Sequence, residues 1–178
     1  ALRVAIGLAL LAGICFHAVF IARASFVVDG ERSFGLFDDA MVSLTYARNL
    51  AAGAGLVWMP GEPAVEGYTN LLWTLLLALP HWAGLPERLV SLPVQAFGAL
   101  LLAVTSLLAM QITRRLSGAP WVAAATIAAV GFCFPLVFWT LRGLEVGLIA
   151  CLVTAAALLA LRLVERPSGR DRAALALV

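Results

Sequence analysis

Lysine is absent from this 178-residue chain, so all twelve basic residues are arginine. Charge of either sign is scarce, at 12% of residues with a formal net charge of +2, and that excess is too small for a nucleic-acid-binding surface. Cysteine is nearly as rare. Cys15, Cys133 and Cys151 each stand alone inside an apolar run, so there is no C-x-x-C and no Cys/His ligand spacing, and nothing supports a disulfide framework. They read as packing residues. His17, inside the first apolar run, reads the same way, although ionisable groups within a membrane are functional by default.

What is abundant is hydrocarbon. Hydrophobic residues make up 63% of the chain and the mean hydropathy is +1.01, whereas soluble domains are about one half apolar. An all-α, polytopic membrane protein is therefore expected, with spans at about 4–28, 89–113, 119–139 and 144–164. Ala22-Arg23-Ala24 mimics a signal cleavage site, but the preceding apolar run exceeds the roughly 7 to 15 residues of a signal-peptide core, so the first span is read as uncleaved. Leu89 to Thr113 reads as a span despite Pro93. The chain opens with Ala and closes in a fresh apolar run, Ala173 to Val178, as expected of a piece of a longer protein.

Residues 29–88 form one long loop with two amphipathic juxtamembrane helices, at about 38–52 and 69–83. Asp38 or Asp39 is placed as the N-cap of the first, with Gly53 and Gly55 as its stop. Met41, Leu44, Ala47, Leu50 and Ala51 follow helical spacing, while Asp39, Ser43 and Tyr46 make a polar stripe. One face is thus expected to lie on lipid and the other to look at substrate; the plainer alternative is that both aspartates only cap the helix and complement its dipole. Pro60-Gly61, Pro63 and Gly67 mark an irregular connection in which Glu62 is solvated, whereas Glu66 sits just before Tyr68-Thr69-Asn70. Leu71 to Leu79 is too short to cross about 30 Å of hydrocarbon, and Trp73 and Trp82 suit the headgroup level.

Arg3, Arg114-Arg115 and the tail of Arg162, Arg166, Arg170 and Arg172 then share one side, cytoplasmic by the positive-inside rule. Asp38, Asp39, Glu66 and Glu145 share the other. A rival topology, in which Leu71 to Leu79 crosses and the N-terminus lies outside, moves the Asp38-Asp39 loop to the cytoplasm and is not excluded by counting arginines.

FDDAMVSLTYARNLAAGAGLVW and GEPAVEGYTNLLWTLLLAL resemble the first external loop of GT-C integral membrane glycosyltransferases, particularly the mycobacterial terminal arabinofuranosyltransferase branch. They are more distantly similar to protein O-mannosyltransferases and lipid A aminoarabinose transferases. WTLRGLEVGL resembles that branch's W-x-x-S-G-L-E-x-x-L turn, with Arg142 in place of the small polar residue. The resemblance implies a cell-envelope enzyme of a bacterial-type cytoplasmic membrane, its site facing outward. It also implies a polyprenyl-phosphate sugar donor, a glycan, lipid or protein acceptor, and further C-terminal spans. Glycosyl transfer of this kind needs a base for the acceptor hydroxyl, a role assigned to Asp39 or Asp38, and it inverts the anomeric centre. Glu66 and Glu145 are candidates to hold a divalent metal or orient the acceptor, with an i, i+3 ion pair to Arg142 as the alternative for Glu145. Arg48 and Arg142 are candidates for the donor phosphate. The competing class is a non-catalytic transporter or assembly subunit whose acidic loop binds a cation or a partner; the broken helices expected of a transporter are not read in the sequence.

Overall fold

The computed structural model describes residues 2–117, 119–165 and 173–177, so Arg166, Arg170 and Arg172 of the basic tail lie outside the described residues. In chain order these form α1 (Leu2–Arg23), a hairpin of β1 (Ser25–Val28) and β2 (Glu31–Phe34), α2 (Asp38–Ala51), α3 (Leu71–Trp82), α4 (Glu87–Leu116), α5 (Pro120–Gly131), α6 (Phe134–Leu141) and α7 (Val146–Glu165). The chain is an all-α membrane protein apart from that one hairpin. It divides into two compact units, one of Ala1–Val19, Gly98–Thr140 and Val146–Val178, the other of Phe20–Phe97 and Leu141–Glu145.

The first unit holds most of the residues of the helices that are long and apolar enough to cross a membrane. α1, α4 and α7 have 22, 30 and 20 residues and are apolar enough to cross, since about 20 residues at 1.5 Å each span some 30 Å of hydrocarbon. α5 and α6 are individually too short and meet at a 47° bend. At the far ends of α4 and α7, Arg115 pairs with Glu165, and Arg162 Nη2 donates to Gln111 Oε1 at 2.8 Å. A chain that leaves α4 at that end and returns to it through α7 must traverse the layer once in between. With α4 and α7 each crossing, α5 and α6 together make one broken crossing. Met110, Ala123 and Ile127 form a buried cluster, with Ile6, Ala9, Leu10 and Leu107 packed against it. Val4, Leu8, Leu11, Ile14 and Val19 of α1 remain exposed, as suits side chains facing lipid.

Two expectations about spans are corrected here. The first span does not run to residue 28: α1 stops at Arg23, and Ser25–Val28 pairs antiparallel with Glu31–Phe34. Asp29 and Gly30, with φ of 52° and 79°, make the two-residue turn that an Asp-Gly pair favours, and Phe26, Val27 and Val28 suit a strand. The third span is not continuous over 119–139 but breaks at Phe132-Cys133, beside Gly131 and Pro135, so the absence of broken helices does not hold either.

The second unit builds the loop around a core that includes Leu36, Ala40, Leu44, Ala47, Trp73, Leu77, Val90 and Val94. α2 packs along α3. The expectation that α2 lays its apolar face on lipid fails, because Leu44 and Ala47 on that face are buried in the protein. Trp73 likewise does not sit at a headgroup surface: it is 2% exposed, and its Nε1 donates to Gly143 O at 2.8 Å. Trp82, by contrast, is exposed.

Candidate functional site

The start of α2 is set by Phe37. Its backbone is extended (φ −70°, ψ 155°), its N–H donates to Arg142 O at 2.8 Å, and its carbonyl accepts from Met41 N at 3.0 Å. Asp38 and Asp39 are therefore the first two helical residues and not the N-cap, a correction to the capping assignment. Both still lie where the helix dipole favours negative charge. Asp38 Oδ1 accepts the N–H of Asp39 at 3.0 Å and is occupied locally.

Asp39 lines a cleft of about 290 Å³ together with Val42, Ser43, Gly67, Tyr68, Thr69, Asn70, Leu144 and Glu145. Successive helical residues point about 100° apart, which is why the neighbouring Asp38 does not line it. Asn70 is the hub. Its Oδ1 accepts from Ser43 Oγ and from Thr74 Oγ1, both at 3.1 Å, and its Nδ2 donates to Glu145 Oε2 at 2.8 Å. Hydroxyls can donate and a carboxylate cannot, so these partners settle which end of the amide faces which neighbour. One side chain thereby ties α2, α3 and the 141–145 turn together. Thr74 N–H also bonds Asn70 O at 2.9 Å, as the first turn of α3 closes.

The rim is held from behind. Tyr46 Oη donates to Val65 O at 2.7 Å, and its ring packs on Tyr68 and Trp58 with centroids 4.9 and 5.8 Å away. A Cβ on Gly67 would lie 2.6 Å from that hydroxyl, which is why the loop needs glycine there. Asn49 Nδ2 reaches Val57 O and Trp58 O at 2.8 and 2.9 Å and folds the chain back after α2. The 141–145 turn is gripped as well. Gln95 Nε2 donates to Leu141 O at 3.1 Å, and Gly143, at φ +96°, lies so close to Leu36 that a Cβ would come within 2.7 Å of its Cδ1.

Of the residues singled out from sequence, Asp39 and Glu145 meet in this cleft, although they are far apart in the chain. Asp38, Glu66, Arg48 and Arg142 do not line it. Glu66 is exposed beside it, and Arg48 is exposed in the last turn of α2. Arg142 is half-buried, with Nε lacking a partner among the described residues. Glu145 takes Asn70 where an Arg142 ion pair was the alternative, and no such pair exists among the described residues. Nor do three or more His, Cys, Asp or Glu side chains gather as metal ligands among the described residues. Sequence reading assigned no role to Asn70. An Asn directly before an apolar helix, with Thr at the fourth residue on, was the available signal, but it pointed to a cap and not to a tertiary hub.

No family model matches the chain, and no solved structure does. A stretch of 52 residues, 29% of this chain, is 46% identical to the "Terminal beta-(1->2)-arabinofuranosyltransferase" of Mycobacterium tuberculosis (strain ATCC 25618 / H37Rv). The matched stretch spans 8% of that protein's length. Partial similarity to a glycosyltransferase, together with helices apolar enough to cross a bilayer, fits a glycosyltransferase-like membrane protein.

Proposed function

We propose that the chain is the N-terminal part of a GT-C membrane glycosyltransferase that moves a sugar from a polyprenyl-phosphate donor to an acceptor hydroxyl on the external face. What supports this most is the meeting of Asp39 and Glu145 in one polar cleft. The two come from separate segments, each of which resembles a motif of that family. Asp39 takes the proton of the acceptor hydroxyl as its oxygen bonds to the anomeric carbon. The bond from that carbon to the phosphate oxygen breaks, its electron pair leaves with the phosphate, and the anomeric centre inverts. Glu145, held by Asn70, orients the acceptor. The cleft presents carboxylates and no arginine, so it suits a neutral polyol and leaves the donor phosphate to a cation beyond it, for which Arg142 remains the candidate.

The alternative, a non-catalytic polytopic protein with a cation- or partner-binding loop, gains something from the break between α5 and α6, a feature that transporters use. One experiment separates the two. In the full-length protein, assayed with a synthetic prenyl-phosphate arabinofuranose, Asp39→Asn should lower turnover about 10²-fold or more with folding retained, because a general base contributes about 10² to 10⁴. Asp38→Asn should leave turnover nearly unchanged. If both variants transfer at the normal rate, the catalytic role of this loop is wrong.

A further inference from the structure

Between Arg3 and Arg23, α1 is apolar except for His17, yet only Gly13 and His17 are buried among its residues. They are four apart, so they share one face. Both point to the same place, the C-terminal end of α5. A Cβ on Gly131 would lie 4.0 Å from Gly13 Cα and 3.9 Å from Ser106 Oγ, and His17 Nε2 lies 2.9 Å from Gly131 O. The small residues let the two backbones approach, and the imidazole then reaches the break.

The break leaves a particular group in need. In a continuous helix the carbonyl of Gly131 would accept the N–H of residue 135, but residue 135 is proline and has none. The neighbouring groups are accounted for differently: Phe132 N–H bonds Ala128 O, Cys133 N–H bonds Val130 O, and Val137 N–H bonds Cys133 O. An unpaired carbonyl inside hydrocarbon is strongly disfavoured, because no water is there to bond it. A carbonyl can only accept, so in the neutral ring Nε2 carries the proton and Nδ1 is left as a bare acceptor. Nδ1 is buried and has no hydrogen-bond partner among the described residues. His17, Ser106 and Gly131 line a cavity of about 10 Å³, which is about the smallest space that holds one water. Ser106 Oγ donates its proton to Leu102 O at 2.8 Å and keeps lone pairs to accept another.

We propose that the break in the third crossing is a built polar site. In it, His17 supplies the hydrogen bond that Pro135 withholds, and Nδ1, with Ser106 Oγ, binds a single internal water that donates to both. The ligand class is solvent, and the site sits in the membrane-crossing unit.

The test uses the full chain in lipid nanodiscs. Thermal unfolding is measured for the wild type, His17→Phe, Pro135→Ala and the double variant. Phe fills the space of the ring but donates nothing, and Pro135→Ala restores the missing N–H. The loss of Tm caused by His17→Phe should therefore fall to roughly half or less in the Pro135→Ala background, the non-additivity expected of two groups that serve one partner. Equal losses in both backgrounds would overturn the role of His17 at the carbonyl. A second measurement does not depend on how well the variants fold. The chain has two histidines, so His81→Gln leaves His17 as the sole source of imidazole nitrogen signals from ¹⁵N-labelled protein. A neutral ring protonated at Nε2 is expected, with the Nδ1 signal moving in Ser106→Ala while the Nε2 signal stays. A ring protonated at Nδ1, or on both nitrogens, would overturn the whole assignment, and an Nδ1 signal indifferent to Ser106→Ala would remove the water.

Discussion

At the scale of single residues, the cleft depends on Asn70 more than on either acid. Asn70→Ala would leave two hydroxyls and the Glu145 carboxylate without their partner, a loss of about 1 to 3 kcal/mol by the usual cost of unsatisfied groups. Asn70→Asp is the sharper probe because it sets a second carboxylate against Glu145. Like charges raise one of the two pKa values, so the variant should be more stable at pH 5 than at pH 8, measured by thermal unfolding, whereas Asn70→Ala should show no such trend. His81 offers a separate check. Its side chain is 7% exposed, and burial pushes the imidazole below its ordinary range; the Glu87 carboxylate at 3.7 Å pulls the other way and Arg48 adds to the depression. Burial prevails because the Glu87 side chain is 66% exposed and its pull is screened by water. A depressed histidine contributes stability that is fully present above the ordinary imidazole pKa of about 6.5 and is lost as pH falls below it. His81→Gln should flatten that acid-side decline relative to wild type.

At the scale of elements, the irregular stretch after α2 behaves as part of the core because it is pinned at several points. Tyr46 holds Val65 and leaves no room for a side chain at Gly67. Gly67→Ala should therefore destabilise the protein by pushing the hydroxyl off Val65. In a Tyr46→Phe background, where the oxygen is gone, the same change should cost less, and equal costs in the two backgrounds would show that the close approach is unimportant. Tyr46→Phe alone should cost about 0.5 to 1.5 kcal/mol, the net value of one hydrogen bond. The hairpin is anchored in a similar way, through Glu31 and Arg88 at the start of α4. That exposed pair holds the Glu31 carboxylate below its usual range. Being exposed, it contributes little to stability.

At the scale of the whole molecule, the side of the membrane that carries the cleft is open to a direct test. In a background lacking Cys15, Cys133 and Cys151, Ala54→Cys should react with an impermeant maleimide on intact cells, and Ser117→Cys should react only after permeabilisation. The opposite pattern would place the cleft in the cytoplasm and end the proposal of an external active site.

Composition and apolar runs by themselves determined that this is a helical membrane protein, because a mean hydropathy of +1.01 leaves no other solvent for so much hydrocarbon. Local chemistry also marked the acidic helix start at Asp38-Asp39 and the turn before Glu145. It misjudged residues 25–34, where an Asp-Gly turn outweighed the continuing apolar run. It also misjudged the third crossing, because the meaning of Gly131 and Pro135 depends on whether a donor such as His17 is at hand. Which aspartate faces the cleft, and that Glu145 shares it, was decided only by tertiary structure. The helical phase between Asp38 and Asp39 is set by Phe37 bonding to a carbonyl more than a hundred residues away, and Glu145 is brought in by the Asn70 amide just before α3. No local pattern encodes a partner that far along the chain.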